Sequence, residues 1–345
     1  MKKYSVGVIG CGHIARKAHL PNIASKYRLT AVSDVSADRA EAAKNDFNAE
    51  YAFDDYKKLL ALKEIDSVHI CTPNYLHVPI ALEALEAGKH VLVEKPLAIN
   101  AEDAALVFAE AEKRGLKAMS ANCYRYITES AIIKSFVDRG LLGDIYYVNV
   151  KALRRRGIPP YGAFTNKELQ GGGPLIDIGV HQLDLAMYLL NNPRPLRVTG
   201  YTCAKIGNTP GHAWADRGKW DPEKYEIEDL ACGFVHLEGG AVLNVETAFA
   251  ANIKEDVFCV SLMGTKGGAD TKPLRIYTED QEVLLDAVPA HLSMTNIYAA
   301  EIDGFYKAVE EDSPVPVRPG ETVNVLKIID GIYRSAEEQR EILLQ

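Results

Sequence analysis

The sequence predicts an α/β protein, with an N-terminal Rossmann dinucleotide-binding domain followed by a C-terminal α+β domain that has a large, open, mostly antiparallel sheet. Two observations predict the first domain: strand and helix patterns alternate up to about residue 122, and a glycine-rich turn directly follows the first strand. A series of strand patterns after residue 197 predicts the second domain. A chain of 345 residues also favours more than one domain. We therefore place the domains at residues 1–122 and 123–345, with closing helices that are able to pack back on the first domain.

The first strand and the turn after it form a dinucleotide-binding motif. Residues 6–9 are apolar and mostly β-branched, which is typical of a parallel strand buried on both faces. The run Gly10-Cys11-Gly12-His13-Ile14-Ala15 follows and leads into a helical pattern. Gly10 permits the tight turn, Gly12 lets a pyrophosphate approach the backbone, and Ala15 lets the helix pack closely on its strand. The backbone N–H groups at the start of this helix, that of His13 included, then face the phosphates.

The second strand indicates which coenzyme is bound. Residues 29–33 are a strand that ends in Asp34, 24 residues after Gly10, close to the spacing of a ribose-binding acid. A carboxylate there accepts hydrogen bonds from the ribose hydroxyls and repels a 2′-phosphate, which favours NAD. Arg39 lies five residues later and could neutralise that phosphate, so NADP stays the alternative coenzyme.

Composition and charge exclude several classes of function. The formal net charge of −8 argues against a nucleic-acid partner, which normally requires a basic face. No apolar run is long enough to span a membrane, and the first strand begins too early for a signal peptide. The six cysteines are scattered without a C-x-x-C pair, which predicts reduced thiols, a cytoplasmic location and no metal site.

Polar residues follow two further strands of the first domain. Strand 68–71 ends in Cys71-Thr72-Pro73-Asn74, with His77 shortly after, and strand 90–93 ends in Glu94-Lys95-Pro96. In open α/β sheets, ligands bind outside the carboxyl ends of the strands, so both segments are candidate site residues. The alternatives are a strand-to-helix turn in which Thr72 or Asn74 caps the helix, and a solvated strand end at Glu94. Helical patterns at 78–87 and 101–114, then a strand at 117–121, complete the alternation.

The second domain begins with a helix and a long strand. Helix 129–139 and strand 145–156 precede the cluster Gly171-Gly172-Gly173 and a strong helical pattern at 175–190. Runs 231–237 and 241–249, joined by Glu238-Gly239-Gly240, predict a hairpin. Strands at 257–263 and 274–278 and helices at 298–311 and 323–341 follow. If the helices cover one face of this sheet, the other face needs a partner, which predicts a homodimer or homotetramer through the open sheet.

Two groups of residues in the second domain are candidates for chemistry. Asp177 and His181 are four residues apart on the 175–190 helix and so share a face, where a carboxylate beside an imidazole suits acid–base catalysis. A buried His–Asp pair or two ligands of a metal are the alternatives. The apolar face of strand 145–156 ends in Arg154 and Arg156, which either reach a polar ligand or form a solvated strand end.

Taken together, these motifs resemble the glucose–fructose oxidoreductase/inositol dehydrogenase (Gfo/Idh/MocA) family over essentially the whole chain. The marks of this resemblance are Cys71-Thr72-Pro73-Asn74 with His77, the run from Ala87 to Pro96, and the run from Gly171 to His181. The resemblance implies that Lys95, Asp177 and His181 are catalytic. It also implies a cis Lys95–Pro96 bond. Separately from the resemblance, we predict that Tyr124, Arg154 and Arg156 contact the substrate. The cofactor-binding residues that the motifs and the resemblance predict together are Gly10, Gly12, His13, Ile14, Asp34, Arg39, Cys71, Thr72, Pro73, Asn74, His77, Glu94, Lys95 and Asn122.

The activity that the resemblance implies is hydride transfer between a nicotinamide coenzyme and a secondary alcohol or ketone of a sugar, sugar derivative or cyclitol. Either Lys95 or His181 could be the base. A redox-assisted glycoside hydrolase and a non-catalytic, cofactor-binding regulator are the alternatives. Segments 157–170 and 207–228, with Trp214, Trp220 and Tyr225, are expected to select the substrate because aromatic rings stack on sugar faces.

Overall fold

The computed structural model describes residues 4–215 and 217–344, and these form two compact units. The first unit runs up to Cys123 and includes Asn296–Thr322, and the second comprises Tyr124–Thr295 and residues from Val323 onward. A segment near the carboxyl end of the chain thus belongs to the first unit. Among the described residues, no helix is both long and apolar enough to cross a membrane.

The first unit contains a six-stranded parallel sheet in the order β3-β2-β1-β4-β5-β6. This is the doubly wound Rossmann order, and the predicted fold class is confirmed. Strands β1 and β4 are fully buried, which explains their continuous apolar sequences. The order reverses between these two strands, so their carboxyl ends define the crevice where ligands bind in such sheets. The strands are β1 (Ser5–Ile9), β2 (Arg28–Ser33), β3 (Tyr51–Phe53), β4 (Ser67–Ile70), β5 (His90–Glu94) and β6 (Ala118–Ala121).

Helices alternate with these strands. The helix after β1 opens with a π-helical turn, Ala15–His19, and continues as α1 (Leu20–Lys26). The other helices of this unit are α2 (Ala37–Phe47), α3 (Tyr56–Leu60), α4 (His77–Glu86), α5 (Ala101–Lys113) and α9 (Ile297–Glu310). Asn100 caps α5 by accepting a hydrogen bond from the N–H of Asp103, as its position before an acidic first turn predicts.

The second unit contains a nine-stranded mixed sheet in the order β14-β13-β12-β11-β7-β10-β9-β8-β15. Only the pair of β7 and β10 is parallel, so the expected mostly antiparallel sheet is confirmed. The predicted hairpin joins β9 to β10 through Gly239 and Gly240, which both have positive φ. The strands are β7 (Ile145–Leu153), β8 (Pro195–Cys203), β9 (Leu230–Leu237), β10 (Val242–Ala248), β11 (Val257–Gly264), β12 (Gly268–Thr271), β13 (Leu274–Asp280), β14 (Val283–Ala287) and β15 (Ile342–Leu343).

Helices of the second unit pack on one face of this sheet. A π-helical turn, Leu175–Gly179, precedes α8 (Val180–Leu189), which lies against β7 and β11. Gly200 and Gly233 let Ile332 come close, since a Cβ at Gly233 would lie 2.6 Å from its Cδ1. The remaining helices are α6 (Thr128–Asp138), α7 (Lys167–Gln170) and α10 (Pro319–Glu338). The opposite face of the sheet carries exposed side chains, among them Tyr201 and Phe234.

Candidate functional site

The turn after β1 has the shape that a pyrophosphate requires. Gly10 has φ of +91°, and a Cβ there would lie 2.6 Å from the carbonyl oxygen of Cys71. Any other residue at this position is therefore strained and blocked. At Gly12, by contrast, a Cβ would meet nothing within 4 Å, so the backbone opens onto free space at the helix start. A phosphate fits this combination, because the first N–H groups of a helix have no partners within the helix.

Asp34 holds this turn from the end of β2. One carboxylate oxygen accepts the N–H of Cys11 at 2.9 Å, and the other accepts the N–H of Ser36 at 2.9 Å and Nη2 of Arg39 at 2.7 Å. Burial raises the pKa of Asp34, but these hydrogen bonds bring it below its ordinary value, so the carboxylate stays ionised. The negative charge that would select NAD is present, and Arg39 is already paired with it.

The end of β4 presents a polar atom without a partner. Within the described residues, Oγ1 of Thr72 is buried and makes no hydrogen bond, which fits a ligand at this edge of the sheet. Because its hydroxyl makes no hydrogen bond, Thr72 does not cap the following helix. The ring nitrogens of His77 lie 2.7 Å from the carbonyl oxygen of Pro96 and 2.8 Å from that of Thr72. His77 therefore ties the end of β5 to the end of β4.

The end of β5 is buried rather than solvated. Glu94 is 8% exposed and accepts hydrogen bonds from His19 and from the N–H of Lys95. The Lys95–Pro96 bond is cis, as predicted. In the same unit, the buried side chain of Asn122 accepts a hydrogen bond from Ser120.

Asp177 and His181 lie on the helix that begins at Leu175. Asp177 is 7% exposed, and the ring of His181 stacks on that of Tyr124 with centroids 4.6 Å apart. Asp184, one turn further, forms a buried ion pair with Arg125, whose Nε lies 2.8 Å from its Oδ2. No group of three potential ligands forms a metal site among the described residues.

The two candidate arginines have different surroundings. Arg154 is buried, donates to the carbonyl of Gly157 and lies over the ring of Phe249. Burial and the charge of Arg217 lower its pKa, while the charge of Asp177 acts in the opposite direction, so Arg154 and Asp177 are electrostatic neighbours. Arg156, beyond the end of β7, donates to the carbonyl of Ala251 and to the side chain of Asn252.

Sequence reasoning missed a carboxylate that holds the start of the Asp177 helix. Glu228 accepts hydrogen bonds from the N–H groups of Gly173 and Leu175, at 2.9 and 3.3 Å, and from the hydroxyl of Tyr333 at 2.9 Å. A Cβ at Gly172 would lie 2.2 Å from that hydroxyl, and one at Gly173 would lie 2.2 Å from the carbonyl oxygen of Glu228. The glycine cluster was the only signal of this contact, because it marks a close approach without naming the partner.

The segment 207–228 also differs from its expected role. Trp220 and Tyr225 are buried in a cluster with Ile178, Ile227 and Phe249, so they stabilise the unit and are not available to stack on a sugar. Trp214 is exposed.

Comparison with known proteins agrees with this architecture. Residues 4–122 match the sequence model of the Gfo/Idh/MocA oxidoreductase family, NAD-binding Rossmann fold, and residues 134–344 match that family's C-terminal alpha/beta domain. The protein is thus an oxidoreductase with an NAD-binding domain. It belongs to the Gfo/Idh/MocA family, as the motifs indicated.

Two relatives and one solved structure illustrate the likeness. The chain is 35% identical over 336 residues to D-glucoside 3-dehydrogenase of Escherichia coli (strain K12), covering 96% of this chain and 95% of that protein. It is 33% identical over 273 residues to glucose-6-phosphate 3-dehydrogenase of Bacillus subtilis (strain 168), covering 77% and 73%. The structure of a levoglucosan dehydrogenase in complex with NADH superposes with a TM-score of 0.87 at 22% identity and covers 99% of both chains, which shows the shared fold.

Proposed function

We propose that the protein transfers hydride between NAD and the secondary hydroxyl at C3 of a glucose ring, in glucose itself or a glucoside. The similarity to D-glucoside 3-dehydrogenase over nearly the whole chain carries this proposal. The second relative is also named for oxidation at position 3. The ionised Asp34 and its bond to the turn after β1 support NAD over NADP as the coenzyme.

Four residues of the chain are assigned roles in this reaction. NAD, when bound, supplies the hydride acceptor. His181, held by stacking on Tyr124, takes the proton of the reacting hydroxyl, and Lys95 donates a hydrogen bond to the same oxygen. Asp177 and the neighbouring Arg154 bind adjacent hydroxyls.

Isotope transfer tests the proposed carbon atom. Methyl glucoside deuterated at C3 is incubated with the protein and NAD, and the coenzyme is analysed by mass spectrometry. We expect deuterium in the reduced coenzyme from the C3-labelled substrate and none from substrates labelled at C2 or C4. Deuterium transfer from another carbon would show that this other carbon is the one oxidised. Release of methanol without net NADH would instead identify a hydrolase.

Replacement of Lys95 tests the catalytic assignment. We expect Lys95→Ala to lower kcat by about 10²–10³-fold, the usual range for loss of a hydrogen-bond donor to the reacting oxygen, while the Kd for NAD stays within about tenfold. Lys113→Ala, at a surface position of α5, is the matched control and should retain wild-type rates. Normal kcat in Lys95→Ala would remove this residue from the mechanism.

The open face of the second sheet supports a homo-oligomer, which we propose to be a homodimer or homotetramer. Phe234 and Met263 are 42% and 45% exposed there, although strand residues of this type are usually covered. Sedimentation equilibrium checks the proposal, and a single chain at micromolar concentration would contradict it.

We further propose a cytoplasmic location, which the six unpaired thiols support.

A further inference from the structure

Five buried polar side chains of the first unit form a continuous chain of hydrogen bonds that ends beside Lys95. The hydroxyl of Tyr306 lies 2.8 Å from Oγ of Ser67 and 3.0 Å from Nε2 of His69. Nδ1 of His69 lies 2.8 Å from Nδ1 of His19, and Nε2 of His19 lies 2.9 Å from Oε1 of Glu94. None of the five residues is more than 8% exposed. Polar groups at this depth are retained only where each one is satisfied.

The acceptor at one end fixes the direction of the hydrogen bond that reaches it. A carboxylate only accepts, so Nε2 of His19 carries a proton and donates to Glu94. Burial lowers the pKa of His69 well below its ordinary value, so this ring is neutral and has one donor and one acceptor nitrogen. It therefore donates to one of its two neighbours, His19 and Tyr306, and accepts from the other.

At its Glu94 end, this hydrogen-bond network reaches the backbone of Lys95. The second oxygen of Glu94 accepts the N–H of Lys95 at 3.1 Å, so this carboxylate is held on one side by His19 and holds Lys95 on the other. Building on the role assigned to Lys95 under the proposed function, we propose that His19 is a positioning residue of the reaction, which fixes the carboxylate of Glu94 and through it the backbone at Lys95.

The charges around Glu94 predict what loss of His19 would do. Burial raises the pKa of Glu94, but the hydrogen bond from His19 and the charge of His19, followed by the charges of Lys95 and His77, bring it below its ordinary value. The remaining titratable neighbours are the thiols of Cys71 and Cys123, whose pKa values burial and Glu94 both raise, so they do not compensate. Without the imidazole, burial dominates and Glu94 takes up a proton at higher pH.

Three variants test the proposal. His19→Leu removes the donor, His19→Gln retains an amide donor at a similar reach, and Tyr306→Phe keeps the packed ring but removes the hydroxyl that bonds to His69. For His19→Leu we expect kcat to fall about 10- to 100-fold with KM changed much less, as for a misplaced catalytic group, and the acid limb of the pH profile to move to higher pH. His19→Gln should restore most of kcat and most of the position of the acid limb. Tyr306→Phe should lower kcat and move the acid limb in the same direction as His19→Leu, but by less.

Measurements on the protein without coenzyme separate this inference from the proposed function. In ¹⁵N spectra, Nε2 of His19 should carry a proton, and the ¹³C carboxyl signal of Glu94 should titrate at lower pH in wild type and His19→Gln than in His19→Leu. Wild-type kcat and an unmoved acid limb in His19→Leu, or an Nε2 of His19 that carries no proton, would overturn the inference. An inactive wild type with these spectra intact would instead overturn the proposed substrate. Loss of kcat that His19→Gln does not restore would reduce His19 to a structural role.

Discussion

The two units each contain a helix that begins with a glycine-rich turn and a π-helical segment. The two helix starts differ in what lies in front of their backbone N–H groups. At Ala15–His19, the preceding Gly12 opens onto space in which a Cβ would meet nothing within 4 Å. At Leu175–Gly179, the N–H groups of Gly173 and Leu175 donate to the carboxylate of Glu228. Neither helix start is capped by the side chain of its own first residue.

This difference distinguishes a helix start that can bind a ligand from one whose N–H groups are already bonded within the protein. The start of a helix attracts an anion, because its first N–H groups lack partners and its dipole is positive there. The first unit leaves that position for the phosphates of a coenzyme. The second unit supplies its own anion, so its glycine cluster stabilises the helix that carries Asp177 and His181 and is not a second phosphate site.

The comparison is tested most strongly by the same substitution in the two turns. Gly173→Ala would place a Cβ 2.2 Å from the backbone oxygen of Glu228, and we expect a loss of about 3 kcal/mol or more in the free energy of unfolding of that unit. Gly12→Ala meets no atom of the protein, so thermal unfolding should be unchanged while the affinity for NAD falls about tenfold or more. Calorimetric unfolding and NAD titration of both variants measure these effects. Equal loss of stability in the two variants would contradict the comparison.

Replacement of the Glu228 carboxylate should reduce stability by a smaller amount, and this amount should depend on pH. In Glu228→Gln the amide group faces an N–H donor, and we expect a loss of about 1–3 kcal/mol. Burial raises the pKa of Glu228 above its ordinary range, although hydrogen bonds from Gly173 and Tyr333 oppose this.

The sign of that pH dependence follows from the raised pKa. The folded protein keeps the proton of Glu228 above the pH at which the unfolded chain loses it, so wild-type stability decreases as pH rises through that window. The glutamine variant has no such proton, and the difference in Tm between the two should shrink as pH rises. Tyr333→Phe keeps the carboxylate but removes a hydrogen bond that lowers its pKa, so its stability should also decrease with rising pH, over a wider window than in wild type. A difference between wild type and Glu228→Gln that grows with pH would exclude this account.

The sequence predicted those parts of the site whose residues are neighbours along the chain. The turn after β1, Asp34 and the ends of β4 and β5 are short motifs, and the Rossmann order fixes where they meet. Glu228 and Tyr333 were missed because the first is 55 residues from Gly173 and the second 105 residues from Glu228, and no periodicity links them. The same limit applies to His19, whose partners lie 50 and 75 residues away. In segment 207–228, aromatic composition suggested a ligand surface, but burial made Trp220 and Tyr225 part of the core.

The smallest expected effect concerns the choice between NAD and NADP. This choice depends on Asp34, which lies beside the helix start of the first unit. Asp34 contributes both the negative charge that repels a 2′-phosphate and the bond to the N–H of Cys11 that holds the turn. Asp34→Asn keeps an oxygen for that N–H but removes the charge and leaves Arg39 without its carboxylate partner. We expect the ratio of kcat/KM for NADP to that for NAD to rise about tenfold, equivalent to about 1.4 kcal/mol. Arg39→Ala is the matched control, because it removes the cation but keeps the carboxylate, and its ratio should not rise. If both substitutions raise the NADP ratio equally, the charge of Asp34 is not what discriminates between the two coenzymes.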